Sequence, residues 1–226
     1  MIKAVHLHKV YNQGRPNEFQ AVRDVSLQIE EHSFTLLSGP SGSGKTTILS
    51  LCGCMARPTS GRIFLQGEEM SSLPERFLTD IRRRTFGFIF QSFNLIRGLS
   101  ALENVMLPAY PTGECHDLLQ NRATALLQRF GLGDRVAAKA EWLSGGQAQR
   151  VAIARALIMD PACIIADEPT AHLDTALSEE FMTLLAELQC DGRTILIASH
   201  DPLVTGHRAI THRVALRDGQ IVAELG

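Results

Sequence analysis

A chain of 226 residues, 45% hydrophobic and 20% charged, holds enough apolar material for a conventional core, and at this length folding buries roughly 70–75% of the unfolded surface. Its 22 Lys and Arg and 24 Asp and Glu are spread along the chain with no basic stripe, so nucleic acid is not an expected partner. The 5 cysteines have neither zinc-ligand spacing nor the density of a secreted disulfide scaffold and read as reduced thiols. The opening MIKAVHLHKV lacks a signal-peptide core, and no uncharged apolar run approaches the ~18–20 residues of a membrane span, so the chain is expected to be soluble, with any membrane role supplied by a partner.

Alternating strands and helices are predicted along the chain. His6 and His8 lie on one face of a first strand, without a third ligand. Residues 22–29 (VRDVSLQI) alternate apolar and polar side chains as a half-buried strand does, and FTLLS (34–38) follows after a polar turn. GKTTILSLCGCMA (44–56) is predicted as a helix on which Cys52 and Cys54, at i and i+2, point apart. RIFLQ (62–66) and TFGFIF (85–90) read as strands, while Arg82, Arg83 and Arg84 form a solvated helix end. The pattern then turns helical. Ser100 and Glu103 have capping-box spacing, HDLLQNRATALLQRF (116–130) stops at Gly131, and a helix runs from Ser144 to about Met159, ahead of Pro161. The sheet resumes with ACIIA (162–166), RTILIAS (193–199), followed by a helix, and HRVALR (212–217), and Asp218-Gly219 turns the chain into a last strand. The expected architecture is one α/β domain: residues 1–91 and 159–226 as a core with an antiparallel β region, and 92–158 as a helical insertion.

The chemistry begins with Gly39, Pro40, Ser41, Gly42, Ser43, Gly44, Lys45, Thr46 and Thr47, which fit G-x-x-x-x-G-K-[ST] between an apolar strand and a helix. Backbone N–H groups of such a turn wrap a β-phosphate, Lys45 reaches the β/γ oxygens, and the Thr46 hydroxyl suits a Mg2+ position. The apolar strand CIIA delivers Asp167 and Glu168 at its carboxyl end, where open α/β sheets bind ligands. Asp167 suits the oxygen shell of a hard cation, and Glu168 is free to polarise water.

A second anion site follows from WLSGG (142–146), because a helix start offers unpaired amides and a partial positive charge. If the helical insertion projects away from the sheet, Ser144, Gly145, Gly146 and Gln147 cannot fold back on their own P-loop and must face another molecule. The segment from Phe93 to Pro108 carries Phe93, Leu95, Ile96, Leu99, Leu102, Val105, Met106 and Leu107, either the insertion's own small core or an apolar patch that receives a partner.

Taken in order, Tyr11, GPSGSGKT, Gln91 after FIF, LSGGQ, IIADEPT, Asp174 in HLD and His200 in ASHD resemble the nucleotide-binding subunits of ABC transporters over nearly the whole chain. Ser144 lies 99 residues after Lys45, and Asp167 lies 23 after Ser144. The loop from Tyr11 to Val22, the stretch FQSFNLIRGLSALENVMLP and the lack of a C-terminal extension are similar to the lipoprotein-release and macrolide-export (LolD/MacB-like) branch. The resemblance implies a P-loop NTPase (RecA-like) core and hydrolysis of MgATP by a head-to-tail homodimer with two composite sites, at the cytoplasmic face of a membrane and bound to an integral membrane transporter subunit. Residue by residue, it implies that Tyr11 stacks on adenine, Gln91 touches Mg2+ and the attacking water, and Glu168 positions or deprotonates that water. It further implies that His200 contacts the γ-phosphate and that Ser144, Gly145, Gly146, Gln147 and Asp174 serve the partner's nucleotide.

The chain departs from the pattern at Glu31-His32-Ser33, where relatives often carry glycine, and at Ala171-His172-Leu173. An ABC-type regulatory ATPase of a non-transport membrane complex, as in cell division, is the alternative reading. A DNA-repair or translation ATPase would need a coiled coil, zinc cysteines or a second ATPase half.

Overall fold

The structure, a computed structural model, describes residues 1–171 and 173–225. His172, one of the departures noted above, lies outside them. Two sheets divide the strands. β1 (Ile2–Tyr11), β2 (Phe19–Ile29), β4 (Ser60–Leu65) and β5 (Glu68–Glu69) form an antiparallel sheet of order β2-β1-β4-β5. β3 (Phe34–Ser38), β6 (Phe86–Ile89), β7 (Cys163–Asp167), β8 (Thr194–Ala198), β9 (His212–Arg217) and β10 (Gln220–Leu225) form the second, of order β10-β9-β3-β8-β7-β6, parallel except for β10.

The parallel strands are short apolar runs because both faces of their sheet are covered. Their alternation splits them between two cores. Phe34, Leu36, Ile164, Ala166, Ile195 and Ile197 face one side, where they meet the helices after β6; Leu37, Ile165, Leu196 and Ala198 face the other, where they meet α1 (Lys45–Cys52) and the antiparallel sheet. The predicted Asp218-Gly219 turn is present: both residues have positive φ, +50° and +79°, and join β9 to β10 with the geometry that suits a two-residue hairpin.

Between β6 and β7 run α3 (Ala101–Met106), α4 (His116–Arg129) and α5 (Gly145–Leu157), with 3-10 turns at Leu107–Thr112 and Ala140–Trp142. The capping box at Ser100 forms, the Ser100 hydroxyl accepting from the Glu103 amide at 3.1 Å while the Glu103 carboxylate accepts from the Ser100 amide at 2.7 Å. Two further helices, α6 (Thr175–Cys190) and α7 (Pro202–Thr205), flank β8. The sequence reading places no element over 175–190.

Three expectations are corrected. The helix carrying Cys52 stops there, and Cys54 sits beyond it with its thiol against the Met70 sulfur, because Cys54 takes the left-handed conformation, φ +58°, that closes the helix, with the Cys54 amide donating to the Leu51 carbonyl at 3.2 Å and the Met55 amide to the Ser50 carbonyl at 2.8 Å. Arg82, at the end of α2 (Glu75–Thr85), is not simply solvated: its guanidinium donates to the Cys54 carbonyl and the Glu75 carboxylate, each at 2.6 Å. The apolar patch is partly core, for Val105 and Met106 are buried and Leu102 packs on the same cluster. Apart from these, irregular pairing of β1 with β2 brings Asp24 to 2.7 and 3.9 Å of His6 and His8, an exposed ion-pair contact.

Candidate functional site

β3 ends in the middle of the parallel sheet, and the chain turns through residues 39–44 before α1 begins. Glycine is required at two of these positions. Gly39 has φ +145°, and a Cβ there would stand 2.2 Å from the Leu216 carbonyl oxygen; Gly44 caps α1 at φ +101°, where a Cβ would lie 2.7 Å from the Ala21 carbonyl oxygen. The β9–β10 hairpin braces the loop, the Gly219 amide donating to the Ser43 carbonyl at 3.1 Å. The first turn of α1, whose amides have no intrahelical acceptors, lines a cleft of about 280 Å³ with Ser41, Gly42, Gln91, Glu168 and His200. Ser43 Oγ is buried there with no hydrogen-bond partner among the described residues, a polar group that suits an oxyanion ligand.

Lys45 is 6% exposed, and its ammonium donates to the carbonyls of Gly39 at 2.8 Å and Pro40 at 3.1 Å. It also stands 3.3 Å from Glu168 Oε1. The same carboxylate accepts from the His200 amide at 3.3 Å and lies 2.9 Å from His200 Nδ1. Glu168 itself has φ +43°, an uncommon conformation for a glutamate, held by its amide donating to the Ala198 carbonyl at 2.9 Å. One residue earlier, Asp167 accepts a hydrogen bond from the Thr46 hydroxyl at 3.1 Å. Burial chiefly, then the Glu168 charge, pushes the Asp167 carboxyl above its usual range, while the Thr46 bond and Lys45 pull it down. A half-buried carboxylate paired with a hydroxyl is an oxygen donor set that fits Mg2+, which takes few protein ligands and completes its shell with water and phosphate; a cluster of three metal-ligating side chains is neither needed nor present among the described residues.

Of the residues singled out in the sequence, Gln91, Glu168 and His200 thus share one cleft with the P-loop, and Asp167 joins it through Thr46. Phe19, which the sequence reading passes over, lines the same cleft and pairs in register with Tyr11 across the antiparallel strands. Both rings are exposed, Tyr11 with the Lys9 ammonium 5.0 Å from its centroid. The only sequence signal for Phe19 is an aromatic residue where a polar loop gives way to a strand.

Ser144 through Gln147 do not line this cleft. Ser144 caps α5, its oxygen accepting from the Gln147 amide at 3.3 Å while the Gln147 side chain accepts from the Ser144 amide at 3.0 Å, which leaves the serine proton free to donate to an anion. Gly145 opens onto space, whereas a Cβ on Gly146 would lie 2.8 Å from Leu177 of α6. Asp174 caps α6, accepting from the Leu177 amide at 2.9 Å. The residue at the glycine-lacking turn, His32, adopts φ +58° and is held by Thr194 and Gln189.

A strand-loop-helix phosphate cradle with a hydroxyl–aspartate pair and a glutamate–histidine pair at the ends of neighbouring parallel strands defines a P-loop nucleotide-binding ATPase. The model of the ABC transporter family matches residues 22–171. The chain belongs to that family, as its ATP-binding cassette. It is 43% identical over its full length to the macrolide export ATP-binding/permease protein MacB of Hyphomonas neptunium, of which it covers 35%. An uncharacterised ABC transporter ATP-binding protein of Thermotoga maritima is 43% identical over 98% of this chain and 93% of its own length. The chain thus spans about a third of the first relative and nearly all of the second. Among solved structures, the dimeric structure of MJ0796, a bacterial ABC transporter cassette, superposes with a TM-score of 0.90 at 40% identity over 100% of this chain and 98% of the other. A dimeric post-hydrolysis state of the same cassette bound to ADP and Pi superposes equally well, at 0.90.

Proposed function

We propose that this chain is the MgATP-hydrolysing subunit of an export- or lipoprotein-release-type membrane complex, working at the cytoplasmic face of the membrane as a head-to-tail homodimer on an integral membrane partner. The observation that carries the chemistry is the setting of Glu168 between Lys45 and His200. The P-loop amides and Lys45 bind the β- and γ-phosphates of ATP, and Thr46 and Asp167 hold Mg2+, which neutralises phosphate charge when bound. Once Lys45 is drawn to phosphate oxygens, Glu168 is freed of that contact to face the water. It takes a proton from the water that attacks the γ-phosphorus, the bond to the β-bridging oxygen breaks, and ADP leaves as the other product. His200 keeps the carboxylate in place, and Gln91 orients the water from the far wall. Tyr11 offers its ring to adenine.

The signature face of one subunit closes the cleft of the other. Such a two-fold interface contains the nucleotide, so ATP favours the closed dimer and hydrolysis releases it. The partner's helix seats in an apolar hollow of about 320 Å³ lined by Phe88, Phe90, Pro108, Arg155 and Met159, adjoining the predicted patch rather than centred on it. Arg155 of α5 donates to the carbonyls of Phe93 and Asn94, two residues with positive φ just beyond Gln91. A partner in the hollow therefore touches both the loop that senses nucleotide and the helix that carries the signature.

Glu168→Gln tests the chemistry. ATP binding stays, turnover falls by roughly 10²–10⁴-fold, the range of a lost general base, and the dimer accumulates in MgATP. Turnover within a few-fold of the parent counts against the assignment.

A further inference from the structure

Trp142 is the single tryptophan of the chain, and it is 70% exposed. Its ring has a polar neighbour, the Lys139 ammonium 5.6 Å from the centroid. So large an indole left on the surface is costly to hydrate, and tryptophan is the residue most often found as the anchor of an interface. Its position is specific: it ends the 3-10 turn at Ala140–Trp142, two residues before Ser144, and Trp142, Ser144 and Gly145 are exposed together along one edge of the helical region. Two residues of chain span roughly 7 Å, so a Ser144 hydroxyl on a phosphate places the indole within a side-chain length of the wall of the cleft that holds the phosphate.

That wall carries a matching feature. Phe19 lines the phosphate cleft at 55% exposure, and Tyr11, its cross-strand partner, is 40% exposed. A two-fold pairing that puts Ser144 of one copy at the P-loop of the other presents an exposed indole to an exposed aromatic edge twice per dimer.

We infer that Trp142 is an interface anchor that packs against the Phe19 and Tyr11 edge of a second copy's nucleotide cleft, closing the base end of the site while Ser144 and Gly145 close the phosphate end. The inference rests on the head-to-tail reading above and deepens it: the trans contribution includes an aromatic contact as well as the signature. Trp142 then distinguishes the ATP-closed dimer from the open subunit, and since it is the sole indole its emission reports that state directly.

The test uses the Glu168→Gln chain, light scattering for mass and tryptophan emission on the same samples. With MgATP the emission shifts to the blue, and the shift tracks the dimer fraction over protein and nucleotide concentration; with ADP neither occurs. Placing Trp142→Ala in the same background raises the dimer dissociation constant roughly ten- to thirtyfold, with nucleotide binding by the monomer unchanged, and Trp142→Phe recovers part of the loss. A full dimer with unaltered emission, or an unaltered dissociation constant in Trp142→Ala, overturns the aromatic contact while leaving the composite site standing. Emission that shifts at concentrations where the chain is still a monomer overturns it as well. Failure to form any dimer at saturating MgATP overturns both.

Discussion

The P-loop cleft and the signature edge answer the same ligand chemistry in opposite ways. In the cleft every charged group already has its counterpart: Lys45 meets two carbonyls and Glu168, Thr46 meets Asp167, and His200 meets Glu168. At the edge, Ser144 is engaged only in its own cap, Gly145 faces open space and Trp142 stands in solvent. The first region is preorganised by the sheet beneath it. On the proposed function, the second is half of a site that another copy of the chain completes.

The comparison can be broken from either side. The largest effect falls on the preorganised half: Lys45→Ala removes the buried cation of the cleft and is expected to weaken the subunit's own ATP binding by at least tenfold, because a phosphate contact to a buried charge is lost, as equilibrium nucleotide titration will measure. Next, Met159→Glu places a charge in the apolar hollow and is expected to abolish co-purification with a membrane subunit while ATP turnover of the isolated cassette stays within about twofold, since Met159 is only half-buried at the edge of the core and does not line the phosphate cleft. Unfolding of that variant, seen by circular dichroism, would show that the hollow is core.

A smaller effect separates the two signature glycines. Gly146→Ala pushes a methyl group into Leu177, so α5 and α6 shift and turnover falls by several-fold; adding Leu177→Ala makes room and restores most of it. If the double variant is no better than the single, Gly146 is needed for nucleotide contact and not for packing. Smallest of all is a purely structural reading. Burial pushes the Cys52 thiol up to about 12 and the Cys54 thiol up to about 11, and drives Cys163 further up, whereas Cys115 and Cys190 are exposed. Thiol labelling of the native chain at neutral pH is expected to modify two cysteines and, after denaturation, all 5. Rapid native labelling of a third would contradict the packing behind α1.

Local signals made much of the fold legible. The P-loop, the strand before Asp167, the caps at Ser100 and Ser144 and the Asp218-Gly219 hairpin depend on neighbours within a few residues, so the sequence predicts them and the structure contains them. The missing α6 is a different matter. Phe181, Met182, Leu185 and Leu188 are buried with helical spacing behind Asp174 as N-cap, but the family pattern assigns that aspartate to nucleotide and so hides its capping role. The end of α1 is hidden because Cys54, a residue with a side chain rather than a glycine, takes the left-handed position that closes it. Nor could the sequence show that Lys45 faces Glu168, that Arg155 grips the loop after Gln91, or that Phe19 lines the cleft, since each joins segments held together only by tertiary packing. Spacing indicated which side chains to propose for the chemistry. Their partners required the fold.

The claim that the signature edge completes another copy's cleft is tested most directly by mixing two inactive chains. Gly145→Asp places a carboxylate where the opposite γ-phosphate docks, so it binds nucleotide but does not hydrolyse it; Lys45→Ala lacks its own cradle but keeps an intact signature. In a mixed dimer one composite site is whole and the other doubly broken. The account predicts that ATP turnover reappears on mixing, at no more than about half the parent rate, together with an ATP-dependent dimer absent from either variant alone. If both variants are folded and the mixture regains neither turnover nor dimer, the signature acts within its own chain and the account is wrong.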